Sequence, residues 1–412
     1  MPSNNRFVRW IVTLAACIVL PGAGPAHAEV AACRKEVSVS EEDLAQAKQE
    51  KSMRIARVRS YLAARSAATK GDRDAALAAL QQLDQQGADI LPGPQDPLAR
   101  YFDDPGFAAV LDRLRQRFAP TANGRLVAES ERPPVAAESI AYEPSTRRFF
   151  LSNWYDNAIY TLTLDGHLAS YLTLPELTPN GVKVDAARHR LWFVATDAFR
   201  DGAAAPRSRL WSVDLRTGVE STFEAAGAKG FNDLAIAPNG DVYVTDTPGN
   251  ALYVLAAGAH ELRRFLPDET FQQPNGIAVG DNGRHLFVAQ GLDLLRIDLQ
   301  GHDVAAVQLP SALETLGTDG LMFRNGKLYA IQNLMTPGTF VEVTLDRDRA
   351  KAVAYRILDR GHPLFDLPTA VTSGQGRVYV IAGTQLYRYG HDKAPMANEL
   401  KPLRLLAYDA CD

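Results

Sequence analysis

The stretch QQPNGIAVGDNGRHLFVAQG, residues 272–291, contains two Asn-Gly pairs that lie seven residues apart. Asn-Gly favours the two-residue turn of a β-hairpin, because both residues tolerate the positive φ that this turn needs. The apolar run between the pairs, 277–279, is so short that both pairs cannot be turns of one simple meander. Asn282-Gly283 precedes an apolar strand and is the predicted turn, which leaves Asn275 with a different role.

The same pattern occurs six times along the chain. Each copy has a polar residue, a short apolar strand, a turn, and a second strand with aromatic residues and valine. The polar residues that begin the copies are Glu138, Asn180, Asn232, Asn275, Asp319 and Thr369. Their intervals are 42, 52, 43, 44 and 50 residues, and a period of about 40–50 residues with four short strands per unit is typical of a β-propeller. The sequence therefore predicts a mainly β fold, a six-bladed β-propeller over residues 121–412, in which segment 124–130 completes the last blade and closes the ring.

Two segments precede the predicted propeller. Arg6 and Arg9 come before an apolar run, and Ala26-His27-Ala28 is a small-x-small cleavage site, so residues 1–28 are predicted to be a signal peptide. This predicts a periplasmic or secreted protein. As an alternative, residues 14–17 form a lipoprotein box, with Cys17 as the lipid-anchored residue. Residues 29–120 are predicted to be helical, and the stretch 61–80 resembles one tetratricopeptide-type hairpin, which cannot bury its own core alone.

Composition narrows the class of protein. The chain has 412 residues, of which 46% are hydrophobic and 22% charged, as in ordinary globular proteins. Removing residues 1–28 takes away two arginines and no acidic residue, which changes the formal net charge from −4 to −6. Basic residues are scattered, so no nucleic-acid partner is predicted. No later apolar run is long enough for a transmembrane span.

The polar residues of the repeat are expected to meet. The first strand of each blade lines the channel and runs away from its mouth, so Glu138, Asn180, Asn232, Asn275 and Asp319 would converge there. Two carboxylates and three carboxamides offer oxygen ligands, which favour one divalent cation, first Ca²⁺, with Mg²⁺, Mn²⁺ and Zn²⁺ as alternatives. As an alternative, each Asn or Asp merely caps the loop before its strand, a role open to Asn180 in particular.

The ends of the second strands return to the same mouth. They include Asn153, Asp246 and the pair Gln332-Asn333. Asp233 follows Asn232, but successive residues of a regular strand face opposite sides, so Asp233 is expected to point away from the centre.

Residues 124–408 resemble the senescence marker protein (regucalcin)/gluconolactonase family and, more distantly, the paraoxonases. The resemblance implies a six-bladed propeller with a divalent metal at the channel mouth, and many members hydrolyse lactones. The family's metal ligands, a Glu, an Asn and an Asp from three blades, fall on Glu138, Asn275 and Asp319. An Asn-Asp motif that contacts substrate or metal falls on Asn232-Asp233.

Two motifs depart from the family pattern. The sugar-lactone members carry an Arg two residues before the Asn of the Asn-Asp motif, whereas this chain has Gly230 there with Lys229 beside it. The family's Gly-Glu-Gly-Pro motif is Ala-Glu-Ser-Ile at residues 137–140. Since Gly230 removes a fixed charge from the pocket, the predicted substrate is less polar than a sugar lactone.

These observations predict an exported, metal-dependent hydrolase of the lactonase or esterase type, acting on a small-molecule lactone or ester. The predicted metal ligands are Glu138, Asn232, Asn275 and Asp319. Asp319, as a base, and Asn232 are the catalytic candidates, and the substrate-binding candidates are Asn232, Asn180, Lys229 and His362. His362 is either a base or lid residue at the mouth or a surface-loop residue, and loop 198–208 is a candidate lid.

A protein without catalytic activity is the alternative. In that case the metal would hold the ring together while the propeller binds a small molecule or a protein in the periplasm. The helical segment would then be available to dock a protein partner.

The first testable prediction concerns the cysteines. Cleavage after Ala28 leaves Cys33 and Cys411, one near each end of the mature chain, and an oxidising compartment favours a disulfide between them. Thiol titration of the denatured, unreduced mature protein should detect no free thiol, while a reduced sample serves as the control. Two free thiols without reduction would show that the termini are not joined.

Overall fold

The computed structural model describes residues 35–94, 96–131, 135–198, 206–280, 282–313, 317–333, 338–386 and 401–410. These residues all belong to one compact unit. The predicted signal peptide, Cys17 and the Cys33–Cys411 pair lie outside the described residues.

The N-terminal part is helical, as predicted. Its elements are α1 (Glu41–Thr69), α2 (Arg73–Gln85), a 3-10 helix (Pro97–Tyr101) and α3 (Pro105–Arg117). Helix α1 begins with a capping box, in which Asp43 N donates to Ser40 Oγ over 3.2 Å and Ser40 N donates to Asp43 Oδ2 over 2.8 Å. Within the described part of the chain, no helix has the length and apolar composition needed to cross a membrane.

The helical segment has its own apolar core. Tyr61 and Ala64 of α1, Leu80 of α2, and Phe107 and Leu114 of α3 are buried in one cluster. The hairpin of α1 and α2 thus buries its apolar face against α3 and the 3-10 helix, which provides the neighbour that a single repeat requires.

The rest of the described chain is mainly strands. The strands are β1 (Val37–Ser38), β2 (Arg125–Glu129), β3 (Ala137–Glu143), β4 (Arg148–Asn153), β5 (Ala158–Leu162), β6 (Leu168–Thr173), β7 (Thr178–Asp185), β8 (Arg190–Thr196), β9 (Ser208–Asp214), β10 (Glu220–Phe223), β11 (Phe231–Ile236), β12 (Val242–Asp246), β13 (Ala251–Leu255), β14 (Arg263–Arg264), β15 (Pro274–Val279), β16 (His285–Gln290), β17 (Asp293–Asp298), β18 (Val304–Ala306), β19 (Thr318–Arg324), β20 (Lys327–Gln332), β21 (Thr339–Leu345), β22 (Ala352–Arg360), β23 (Val371–Gly374), β24 (Arg377–Ile381) and β25 (Arg404–Asp409).

The described strands form six antiparallel sheets. Four sheets follow chain order, β3 to β6, β7 to β10, β11 to β14 and β15 to β18, while the fifth adds β1 to the outer edge of β19 to β22. In the sixth sheet, β23 and β24 are completed by β25 and then β2. The pairing of β2 with β25, with Arg125 opposite Ala407, agrees with the closing role predicted for segment 124–130. This is a mainly β, propeller-like fold.

The first strand of each sheet lies at the centre. These inner strands are β3, β7, β11, β15, β19 and β23; each contacts the next, and β23 contacts β3. Together they line a cavity of about 280 Å³. The predicted hairpin turns lie where each inner strand leads into its second strand. Asn325 and Gly326, with φ of 48° and 79°, join β19 to β20 as a two-residue turn.

The sequence did not predict how the helical segment attaches to the sheets. Strand β1 pairs with β22, with Val37 opposite Tyr355, and Glu36 accepts a hydrogen bond from Lys327 Nζ over 3.1 Å. Arg360 at the end of β22 donates to Asp89 over 2.6 Å. One sheet therefore contacts both the start of the helical segment and the connection that follows α2.

Asp359 of β22 connects three parts of the chain. Its carboxylate is fully buried and accepts hydrogen bonds from Thr121 Oγ1, Asn123 N, Gly124 N and Tyr408 Oη over 2.8–2.9 Å. It thereby fixes the linker that follows α3, the start of β2 and the last strand, β25.

The second testable prediction concerns this carboxylate. Asp359→Asn removes the charge and one acceptor oxygen while the buried donors remain, so unfolding should become easier by about 2–3 kcal/mol. Tyr408→Phe, which removes one donor, should cost about 1 kcal/mol. Denaturant titration measures both changes, with Asp112→Asn as the control, because Asp112 forms an exposed ion pair with Arg115. An Asp359→Asn effect as small as that of the control would contradict the assigned role.

Candidate metal centre

Five inner strands carry a β-bulge at the same position. The register shifts between residues 137 and 139, 179 and 182, 231 and 234, 274 and 277, and 318 and 321. These intervals contain Glu138, Asn180, Asn232, Asn275 and Asp319. A bulge inserts an extra residue and changes the direction of its side chain. The first Asn-Gly pair of the opening stretch is therefore part of a bulge, and the second lies in the hairpin connection.

Neighbouring inner strands approach closely at the bulges. A Cβ on Gly276 would lie 1.8 Å from the carbonyl oxygen of Asp319, and a Cβ on Gly320 would lie 2.5 Å from that of Thr369. Only glycine fits at such a distance. Two other bulges have a side chain that bonds to the next inner strand: Ser139 Oγ accepts from Val182 N over 3.1 Å, and Asp233 Oδ2 accepts from Ile277 N over 3.4 Å.

The bulges surround a small cavity at one end of the channel. Its volume of about 20 Å³ is enough for one water molecule or ion. It is lined by Glu138, Ser139, Gly181, Lys183, Asn232, Asp233, Asp319, Gly320, Leu321, Thr369, Ala370 and Val371. Three of the four predicted metal ligands therefore face one space, and the fourth, Asn275, lies close enough to Asp319 to lower the pKa of that carboxyl.

Hydrogen bonds position the Asp319 carboxylate. Asn333, at the end of β20, donates from Nδ2 to Asp319 Oδ2 over 2.5 Å and to Pro368 O over 3.1 Å. Asn333 was expected at the mouth from the strand pattern, but its bond to Asp319 was not foreseen. Asp246, at the end of β12, instead accepts from the backbone N–H groups of Lys229 and Gly230 over 2.8 Å.

Two carboxyl groups of this centre, those of Glu138 and Asp319, resist ionisation. Burial, followed by the charges of Asp319 and Asp233, raises the pKa of Glu138 well above its usual value. Burial likewise raises the pKa of Asp319 to about 7; the Asp233 charge adds to this, while hydrogen bonds from Asn333 and Asn275 oppose it. A cation among these groups would relieve the repulsion that causes both shifts.

The donor set fits a hard divalent cation. Glu138 Oε2 and Asn275 Oδ1 are buried oxygens without a hydrogen-bond partner, and such atoms are costly unless something compensates them. Across the described residues, no group of three or more His, Cys, Asp or Glu side chains is arranged to hold a metal. A cation here would therefore need amide oxygens beside Glu138 and Asp319, which suits Ca²⁺.

The expectation for Asp233 was wrong. The bulge at residues 231–234 interrupts the regular alternation of β11, so both Asn232 and Asp233 line the small cavity. Sequence reasoning also missed Lys183, whose Nζ lies 2.9 Å from Asp233 Oδ1. The sequence feature that could have indicated Lys183 was its position on a predicted inner strand, two residues after Gly181.

Other candidates have different surroundings. Asn180 is buried, donates from Nδ2 to Phe231 O over 3.1 Å, and is absent from the cavity wall. Its bond connects two inner strands, a structural role that differs from the loop cap considered for it. Lys229 is exposed, and its backbone N–H bonds to Asp246.

His362 is buried, which rules out the surface-loop alternative. Its Nε2 lies 3.2 Å from Gly124 O, and its Nδ1 accepts from Leu364 N over 3.0 Å. Because both ring nitrogens bond to backbone groups, the ring has a structural role and is unavailable as a base or substrate ligand.

Sterics explain the missing arginine at residue 230. A Cβ on Gly230 would lie 2.5 Å from Pro248 Cγ and 2.9 Å from Ala198 Cβ. No side chain fits at this position, so an arginine could replace Gly230 only if the surrounding loop moved. Within the candidate lid, residues 199–205 lie outside the described residues.

No family model matches the chain, and no curated protein matches it. Solved structures similar to it include a gluconolactonase from Xanthomonas campestris, with 17% identity and a TM-score of 0.49, covering 70% of this chain and 90% of that one. A calcium-binding regucalcin from Agrobacterium tumefaciens strain C58 has 17% identity and a TM-score of 0.48, covering 69% and 92%. A virginiamycin B lyase from Staphylococcus aureus has 17% identity and a TM-score of 0.41, covering 62% and 80%.

Gluconolactonase- and regucalcin-like proteins are thus among the structures similar to this chain, as the sequence resemblance predicted.

The third testable prediction follows from the buried carboxyl groups. The pKa of Asp319 is raised in the folded, cation-free protein. The stability that the protonated Asp319 carboxyl contributes is therefore lost as pH rises from about 4 to about 7. In the presence of a chelator, Asp319→Asn should therefore be more stable than wild type at pH 8, by about 2–4 kcal/mol, with little difference at pH 4.5. Denaturant titration at both values measures this.

Added Ca²⁺ provides the second arm of this test. It should stabilise the wild type at pH 8 and have much less effect on Asp319→Asn, since that variant lacks a ligand charge. Asp112→Asn is again the control. Parallel pH profiles for wild type and Asp319→Asn would contradict the electrostatic description of the centre.

Proposed function

We propose that this protein is an exported, metal-dependent hydrolase of the lactonase or esterase type, built on a six-bladed propeller with one divalent cation at the channel mouth. One observation carries the proposal. The carboxyl groups of Glu138 and Asp319 both have raised pKa values, and two buried oxygens beside them, Glu138 Oε2 and Asn275 Oδ1, have no hydrogen-bond partner. Burying these groups without a partner lowers the stability of the fold, so we infer that a bound ligand compensates them.

Four side chains would hold the cation, those of Glu138, Asn232, Asn275 and Asp319. Asn232 uses its Nδ2 to donate to Thr247 Oγ1 over 2.9 Å, an orientation that leaves the amide oxygen as the ligand atom. Thr369 Oγ1 donates to the backbone carbonyl of Glu138 over 2.8 Å and so fixes the bulge that carries this carboxylate. These two ligands are thus positioned by threonines next to the ends of neighbouring strands.

A bound divalent cation would supply Lewis-acid polarisation of an ester or lactone carbonyl. Asp319 is the base candidate, because its carboxylate can accept the proton of an attacking water molecule at the oxygen that Asn333 does not hold. Asn232 would orient the substrate carbonyl, and the buried walls Leu321 and Val371 limit access of bulk water.

The steric closure at Gly230 supports a less polar substrate. Without a fixed cation at that position, the pocket lacks the charged partner that an arginine there would offer to the hydroxyl groups of a sugar lactone. An aliphatic or aromatic lactone, or an aryl ester, therefore fits the proposal better than gluconolactone.

A non-catalytic role is the second candidate, and one observation favours it. The small cavity admits an ion but no substrate, at about 20 Å³. A cation held there would still relieve the carboxylate repulsion and stabilise the ring, while the propeller binds a small molecule or protein elsewhere.

The fourth testable prediction separates these candidates. Metal-reconstituted protein should hydrolyse an aliphatic γ-lactone or an aryl ester better than gluconolactone. Asp319→Ala, which removes a ligand and the base candidate, should lower kcat/KM by about 100-fold or more. Turnover assays against all three substrates, with and without chelator, measure this.

Asp112→Asn should retain wild-type turnover in these assays. Gluconolactone as the best substrate would contradict the pocket argument. Tight cation binding without turnover of any substrate would favour the non-catalytic role.

A further inference from the structure

Lys183 is a cation inside the channel. It lies on inner strand β7, its side chain is 25% exposed, and its Nζ pairs with Asp233 Oδ1 over 2.9 Å. It lines both the small cavity of the candidate centre and the 280 Å³ cavity further along the channel. A lysine at such a position is unexpected if the centre binds a cation, because like charges repel.

The charges of the cavity wall explain its presence. The charged side chains that line the small cavity are Glu138, Lys183, Asp233 and Asp319. Three carboxylates alone would give the centre a charge of −3. Since Lys183 pairs with Asp233, the remaining pair, Glu138 and Asp319, contributes a charge of −2, which matches one divalent cation.

The position of the pair is well defined by the backbone. Asp233 Oδ1 also accepts from Leu234 N over 2.9 Å, and its Oδ2 accepts from Ile277 N over 3.4 Å. The carboxylate is therefore held by β11 and β15 while the ammonium group comes from β7. Removing the lysine charge would leave Asp233 in place, still bonded to two N–H groups, as a third negative charge.

We propose that Lys183 determines the cation specificity of the centre, by neutralising Asp233 so that the site favours a divalent over a trivalent ion. This inference rests on the proposed cation centre, and it adds a residue whose role is electrostatic and does not require contact with substrate. Asp233 and Lys183 together act as one neutral unit beside the ligands.

The test compares two cations in a double-mutant cycle. Dissociation constants for Ca²⁺ by calorimetry and for Tb³⁺ by luminescence give the preference for the trivalent ion as a ratio. Lys183→Met, which keeps the apolar stem, should raise that preference about tenfold or more, because the extra negative charge attracts the ion of higher charge more strongly. Asp233→Asn, which leaves Lys183 charged, should weaken both ions and lower the preference.

The combined variant Lys183→Met/Asp233→Asn restores the original net charge. Its preference should return to within about threefold of wild type, a recovery that two independent structural effects would not produce. Lys51→Met is the matched control, because Lys51 pairs with Asp293 on exposed surface. Its ratio should equal that of wild type.

The outcomes distinguish this inference from the proposal on which it rests. Absence of cation binding by the wild-type protein would overturn the proposed centre and with it the role of Lys183. Cation binding by wild type with an unchanged ratio in Lys183→Met overturns only the role of Lys183. If Lys183→Met does not fold, the ratio in Asp233→Asn decides, since it should fall, and an unchanged value there also overturns the inference.

Discussion

Close packing of inner strands around a narrow channel is the constraint on which the rest of the structure depends. At Gly276 and Gly320 the neighbouring backbone lies where a Cβ would be, so adjacent inner strands touch without side chains between them. The bulges at these positions send the preceding residues, Asn275 and Asp319, to a shared centre. Tight contact between strands and convergence of polar groups are therefore consequences of the same local geometry.

This geometry stores unfavourable electrostatic energy at the centre. Glu138, Asp233 and Asp319 are held near one another away from water, which raises the pKa of Glu138 and of Asp319. Lys183 offsets part of this repulsion through its ion pair with Asp233. Asn333 offsets a further part by donating a hydrogen bond to Asp319. Binding sites commonly give up stability in this way, because groups arranged for a ligand are poorly satisfied without it.

The remainder of the chain holds the ring of sheets together. Strand β2 completes the last sheet, and Asp359 connects the linker after α3, the start of β2 and Tyr408. Strand β1 attaches the helical segment to the edge of β22. Since these contacts lie at the outer strands and termini, they restrain the inner strands without entering the channel.

The repeat of polar residue, short strand and turn predicted the sheets, the central position of the first strands and the nearness of Glu138, Asn232 and Asp319 to one another. It did so because these features depend on local pattern and spacing: alternation defines a strand, and Asn-Gly defines a hairpin turn. The helix starts at Ser40, Asp72 and Asp104 depend on equally local sequence, since a cap involves only residues three positions apart or fewer.

Tertiary structure alone decided where several side chains point and what they bond. Asp233 faces the centre because a bulge interrupts alternation, and a bulge depends on the partner strand, which a single segment does not reveal. Lys183 acquires its partner from β11, fifty residues away in sequence, and His362 is buried by bonding to Gly124, which is farther still. The sequence determined which polar residues recur at the same position of each repeat. Packing between distant strands determined which of these residues line one cavity and which charged side chains pair with each other.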